Sequence, residues 1–154
     1  MNILGGCEIF LMEEKVIYTM GYGGREFDEF VELLRFYGVE VVVDVRRFPT
    51  SKREEYKREN FERLLTERGF KYVYLGDLLG GYRSGGYESY METSEYKRGI
   101  ERVIELAEKY RVAIVCCERL PWRCHRRFIG DTLRERNLKV IHVIDKDRIW
   151  KTLL

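Results

Sequence analysis

The sequence predicts a single α/β domain built on a mostly parallel, five-stranded sheet with helices on both faces. Three observations predict it. Short apolar runs alternate with stretches of helical periodicity, no linker or repeat divides the chain, and 154 residues is the length of one domain. Strand and helix alternating in this way imply right-handed crossovers, which lay helices over both faces of a parallel sheet.

Each element is justified in chain order. "VIYTM" over 16–20 reads as the first strand, and the glycine-rich "GYGGR" follows it. Phe27, Phe30, Val31 and Leu34 then recur at helical spacing, with Gly38 as the stop. "VEVVVDV" over 39–45 is a buried type of strand. A second helix carries Phe61, Leu64 and Leu65 and ends near Gly69, and "KYVYL" over 71–75 is the third strand. The glycine-rich run 76–94 reads as a long loop. From Ser94, the positions Tyr96, Ile100, Val103, Ile104 and Ala107 mark a third long helix. "RVAIVC" over 111–116 is the fourth strand, a helix is expected from Cys124 to Arg136, and "LKVIHVID" over 138–145 is the fifth strand. The first and fourth strands are expected to be neighbours, because the loops that follow them carry complementary chemistry.

The regular pattern begins at Lys15, so residues 1–14 are expected to be an extension, with Met12 as an alternative start, and 15–154 the domain. The apolar run near the start is too short to span a bilayer and lacks a signal peptide's basic beginning. A cytoplasmic protein with no membrane partner is expected, with its thiols reduced. A net charge of +2, from 28 basic and 26 acidic residues, gives no bulk field for nucleic acid or a lipid surface. Any anion preference must be local. The chain has no Gln and three Asn while Glu, Lys and Arg abound, a lean towards a thermophilic source. Oligomeric state is not legible.

In a parallel sheet ligands sit beyond the carboxyl ends of the strands. There this chain places "GYGGR", "DVRRFPTS", "LGDLLGG" and "CCERLPWRCHRR". Glycine-rich turns and helix starts suit anions, and Arg25, Arg46, Arg123 and Arg126 can add charge-assisted hydrogen bonds. Asp44 and Arg46 fall on one side of a strand end, which also suits a plain structural ion pair. Tyr22 and Tyr82 can stack a base or ring. His125, Glu118 and Asp44 supply acid–base chemistry near neutrality, although His125 is equally suited to bonding a carbonyl at a helix start. Cys117 and Arg123 stand at C-x5-R spacing, but Leu120, Pro121 and Trp122 lack the small residues of a phosphate cradle. Cys116, Cys124, His125 and His142 do not have the spacing of a zinc site, so no metal and no other cofactor is expected. His142 reads as a satisfied buried residue.

Taken together, "YTMGYGG", "VVVDVRRFPTS", "LGG" and the C-x-E-x5-C-H-R run from Cys116 to Arg126 resemble a widespread prokaryotic family, domain of unknown function 488. The likeness runs in order from residue 16 to residue 145. It implies signature positions at Gly21, Asp44, Arg46, Pro49, Ser51, Gly80, Gly81, Cys116, Glu118, Cys124, His125 and Arg126. Family members often carry His-Ser after the first glycine, where this chain has Tyr22 and Gly23. No reaction comes with the family name.

The expected site therefore has His125, Glu118, Asp44, Cys116 and Cys124 as its reactive groups. Gly21, Tyr22, Gly23, Gly24, Arg46, Pro49, Ser51, Gly80, Gly81 and Arg126 are expected to hold the ligand. Three readings stay open: a hydrolase or group transferase acting on a phosphorylated or anionic, nucleotide-like ligand; a non-catalytic module for a nucleotide or nucleic acid; and a thiol redox protein.

Overall fold

A computed structural model describes residues 15–150; the expected extension over 1–14 and its alternative start at Met12 lie outside the described residues. The elements run β1 (Val16–Gly21), α1 (Phe27–Phe36), β2 (Val41–Asp44), α2 (Arg58–Glu67), β3 (Lys71–Tyr74), α3 (Gly76–Leu79), α4 (Tyr87–Tyr90), α5 (Ser94–Lys109), β4 (Val112–Cys116), α6 (Arg126–Glu135), β5 (Lys139–Asp145) and β6 (Arg148–Trp150). Short 3-10 turns at Glu54–Tyr56 and Pro121–Arg123 precede α2 and α6.

The strands form one sheet in the order β3-β2-β4-β1-β5-β6. All pairs are parallel except β5 with β6. The first and fourth strands are neighbours, with Gly21 opposite Cys116. Connections from β1 and β2 run towards one edge of the sheet, while those from β3 and β4 run back towards the other. Right-handed crossovers in opposite directions must use opposite faces. Accordingly Phe27, Phe30 and Leu34 of α1 and Phe61 and Leu65 of α2 pack with Met20, Val42 and Val115 on one face. Val103 of α5 and Ile129 and Leu133 of α6 pack with Ile17, Val43 and Ile114 on the other. β2, β4 and the last five residues of β1 are buried throughout, which is why they read as continuous apolar runs.

Three expectations need correcting. The sheet has six strands: "RIW" adds an antiparallel edge strand, too short and too exposed to show a pattern. The 76–94 stretch is not one loop, because it holds α3 and α4. Tyr87 and Tyr90 anchor it by donating to the carbonyls of Leu79 and Leu78. The fourth long helix begins at Arg126 rather than Cys124, since Pro121–Arg123 close a separate 3-10 turn first.

Candidate functional site

β1 and β4 are the neighbouring strands whose connections leave in opposite directions. A cleft opens at such a point, and here it is a cavity of about 940 Å³. Tyr22 and Gly23 enter it from the end of β1, Arg46, Arg47, Phe48 and Thr50 from the loop after β2, and Cys116 to Arg119 from β4. Gly81, Tyr82, Arg83, Gly86 and Tyr87 close one side, and Cys124 with His125 stand just before α6. The β1 and β4 loops meet closely. The Tyr22 and Gly23 amides donate to the carbonyls of Cys116 and Cys117 at 3.1 and 2.8 Å. A Cβ on Gly21 would lie 1.9 Å from the Glu118 carbonyl oxygen, so only glycine permits this approach.

Asp44 and Arg46 are both buried and bound to each other. Oδ1 accepts from the Arg46 Nε at 2.9 Å and Oδ2 from its NH2 at 2.8 Å. Tyr72 also donates to Oδ2 at 2.6 Å. The Arg46 NH1 donates to the Tyr22 hydroxyl and the Tyr56 carbonyl. Asp44 thus orients an arginine and has no free lone pair directed at the cavity. Tyr22 is stacked on Tyr56 with centroids 3.9 Å apart, so its ring already has a partner. Burial lifts the Tyr22 hydroxyl to about 12.

His125 immediately precedes α6, half-buried, with Nε2 3.1 Å from the Val45 carbonyl. A carbonyl only accepts, so Nε2 carries a proton and Nδ1 faces Cys124 Sγ at 3.6 Å. Cys116 and Cys124 lie Sγ to Sγ at 2.8 Å and both reach the cavity wall. Burial pushes the Cys116 thiol up. The hydrogen bond from Cys116 draws Cys124 down, with His125 and Arg126 adding to it. The Glu118 carboxylate lines the cavity and accepts from the Leu120 amide at 3.2 Å.

Several expected ligand-binding positions sit elsewhere. Arg126 is fully buried and directs its donors inward, at Thr19 Oγ1, Cys116 Sγ and the Glu118 carbonyl. It supports the wall and does not line it. Arg25 is likewise committed, to Asp145 and to the carbonyls of Gly21 and Ile144. Gly21, Gly24, Pro49, Ser51 and Gly80 lie behind the lining; Ser51 Oγ accepts from the Arg53 amide and shapes its turn. Gly81 does line the cavity and packs on the His125 ring. Contributors missed in the sequence include Arg47, Phe48, Arg83, Tyr87 and Arg119. The doubled arginine in "DVRRF" and the "YRSGGY" run carried a signal for them.

Electrostatically the lining is one-sided: five arginines against the carboxylate of Glu118. Arg119 is partly neutralised by Asp145 at 2.8 Å. Arg123 is exposed and has no partner for its guanidinium among the described residues. At the rim, Phe48 and Tyr82 are 62% and 86% exposed, with ring centroids 6.1 Å apart. Among the described residues, no group of three or more His, Cys, Asp or Glu side chains is placed to hold a metal ion.

Residues 26–86 and 83–133 match the profile described as Domain of unknown function DUF488. The chain belongs to the DUF488 family. In this DUF488 domain the matched span runs from the start of α1 into α6, and it includes the β2 and β4 loops that build the cavity. No curated protein matches the chain. Among the described residues, no helix of this DUF488 protein is long and apolar enough to cross a membrane.

Proposed function

We propose that the chain is an enzyme, a hydrolase or group transferase, acting on a phosphorylated or otherwise anionic, nucleotide-like ligand at the carboxyl ends of β1, β2 and β4. The excess of arginine over carboxylate in the cavity wall carries this reading. In a concave, partly desolvated site such groups favour planar, bidentate anions. The volume suits a small molecule of nucleotide size.

Arg123 and Arg47 would hold the anionic group, within the field of the anchored Arg46. Phe48 and Tyr82 would stack the ring. His125, oriented by the Val45 carbonyl, and Glu118 are the groups able to move a proton beside the bound anion. The exposed aromatic pair favours a second reading, a non-catalytic module for a nucleotide or single-stranded nucleic acid, whose bases stack on such rings.

Calorimetric titration with adenosine monophosphate, adenosine and inorganic phosphate tests the first reading. The nucleotide should bind and adenosine should not, and Arg123→Ala should weaken the nucleotide at least ~10-fold, the loss of one charge-assisted bond. Equal binding of adenosine would overturn the anion reading. For the second reading, an oligonucleotide should bind with affinity falling steeply as salt rises. It should bind equally well to Glu118→Gln.

A further inference from the structure

The interior holds two buried arginines and neutralises them differently. Arg46 has Asp44. Arg126, with no exposed surface at all, has no carboxylate against it among the described residues. Its guanidinium meets the Thr19 hydroxyl at 2.8 Å, the Glu118 carbonyl at 2.5 Å and the Cys116 sulfur at 2.9 Å, and its backbone N–H meets the Cys124 sulfur at 3.4 Å. A guanidinium buried without counter-charge is costly, and arginine cannot shed its proton to escape that cost. The ionisable groups in contact with it are the two sulfurs. They lie 2.8 Å apart, well inside ordinary sulfur–sulfur contact, so a disulfide can close between them with little movement of either side chain.

We propose that Cys116 and Cys124 are a dithiol–disulfide couple, carrying one proton and one negative charge between them, that reduces a small disulfide entering from the cavity. Cys124 is the attacking sulfur. It stands at the cavity wall, where the Arg126 amide donates to it at 3.4 Å and Cys116 Sγ and His125 Nδ1 lie 2.8 and 3.6 Å away. In the first step the Cys124 thiolate bonds to one sulfur of the incoming disulfide, and the other sulfur departs as a thiolate. In the second, Cys116 gives up its proton, directly or through His125, and bonds to Cys124 Sγ. The second substrate sulfur leaves as a thiol, with the Cys116 proton. The two cysteines are oxidised to a disulfide and the substrate disulfide is reduced to a thiol and a thiolate, so charge and electrons balance. The pair is separated by seven residues and not by the two of a CxxC motif, which is why spacing alone did not reveal it.

This activity goes beyond the anionic-ligand reading and is tested separately. The full chain is incubated with oxidised glutathione, quenched with iodoacetamide, digested and mapped by mass spectrometry. One disulfide joining Cys116 to Cys124 should form and should revert with dithiothreitol. In Cys116→Ser a glutathione adduct should accumulate on Cys124. The groups facing the sulfurs are Arg126 of α6, His125 just before it, Tyr87 of α4 and, through Thr19, His142 of β5. None of them is a carboxylate that would return the charge to Cys124. Alkylation of Cys124 should therefore be nearly as fast at pH 6 as at pH 8. A thiol of ordinary pKa such as that of an unstructured peptide loses about tenfold per pH unit over that range. The idea fails if Cys116 and Cys124 stay reduced while the exposed Cys117 is modified, or if Cys124 slows like the reference peptide. The wild-type mapping decides even if the serine variant does not fold. Adenosine monophosphate binding, measured on the reduced protein, reports on the other reading independently.

Discussion

Burial beside Trp150 and Gly130 pushes the His142 imidazole down to about 3 from its ordinary 6.5, with Arg126 and Arg134 acting in the same direction. Its Nδ1 bonds Thr19 Oγ1 at 2.6 Å, a contact set by the β1–β5 register that puts the two residues side by side. Its Nε2 is the one buried side-chain polar atom without a partner among the described residues. The sequence reading of a buried residue was right, but full satisfaction was not. Between pH 6.5 and about 3 the unfolded chain binds a proton at this position that the native state refuses. Stability is therefore lost as pH falls through that window. Urea denaturation of the wild type and His142→Asn across pH 7 to 4 should show their difference shrinking by about 1.4 kcal/mol per pH unit below 6.5. A constant difference would mean that the imidazole protonates in place.

α5 is the longest helix described and carries much of the core on its face of the sheet. Its first turn is closed by Thr93, whose hydroxyl oxygen accepts from the Tyr96 amide at 3.2 Å, and Glu95 adds a favourable negative charge there. Thr93→Ala should cost about 1 kcal/mol in chemical denaturation, whereas Thr93→Ser should restore most of it. Long periodic segments like this one were legible, because an apolar stripe at helical spacing has few other readings. α3, α4 and β6 were not. Four residues of helix, or three of strand, give no period to read, and only their tertiary contacts hold them. The direction of a side chain around the start of α6 was equally hidden. Arg123 and Arg126 look alike in sequence, yet one faces the cavity and the other is sealed behind it.

The convergence of unusual residues after the strands was legible because a parallel sheet gathers those ends together. Asp44, Arg46, Cys116, Glu118, Cys124 and His125 do lie around one cleft. Which of them meet a ligand depends on who neutralises whom, a matter of three-dimensional pairing. Asp44 and Arg126 belong to the support, while Arg47, Arg83 and Arg119 reach the surface of the cavity.

The strand order also governs how the protein can be made. Of the described strands β1 leaves the ribosome first, yet both of its neighbours, β4 and β5, come late in the chain. Thr19 waits for His142, 123 positions away. Until then "VIYTMG" has no charge, no proline and no partner, the composition that drives newly made chains to pair with each other. Lys15 and Arg25, just outside the strand, are the flanking charges that discourage such pairing. A chain ending at Asn137 keeps α1 to α6 but leaves one edge of β1 open for good. Expressed beside the full chain, it should collect in the insoluble fraction, and co-expression of a segment carrying β5 and β6 should draw part of it back into solution. A soluble truncated chain with a dispersed amide spectrum would show that β1 can find β4 without the strand that closes its other side.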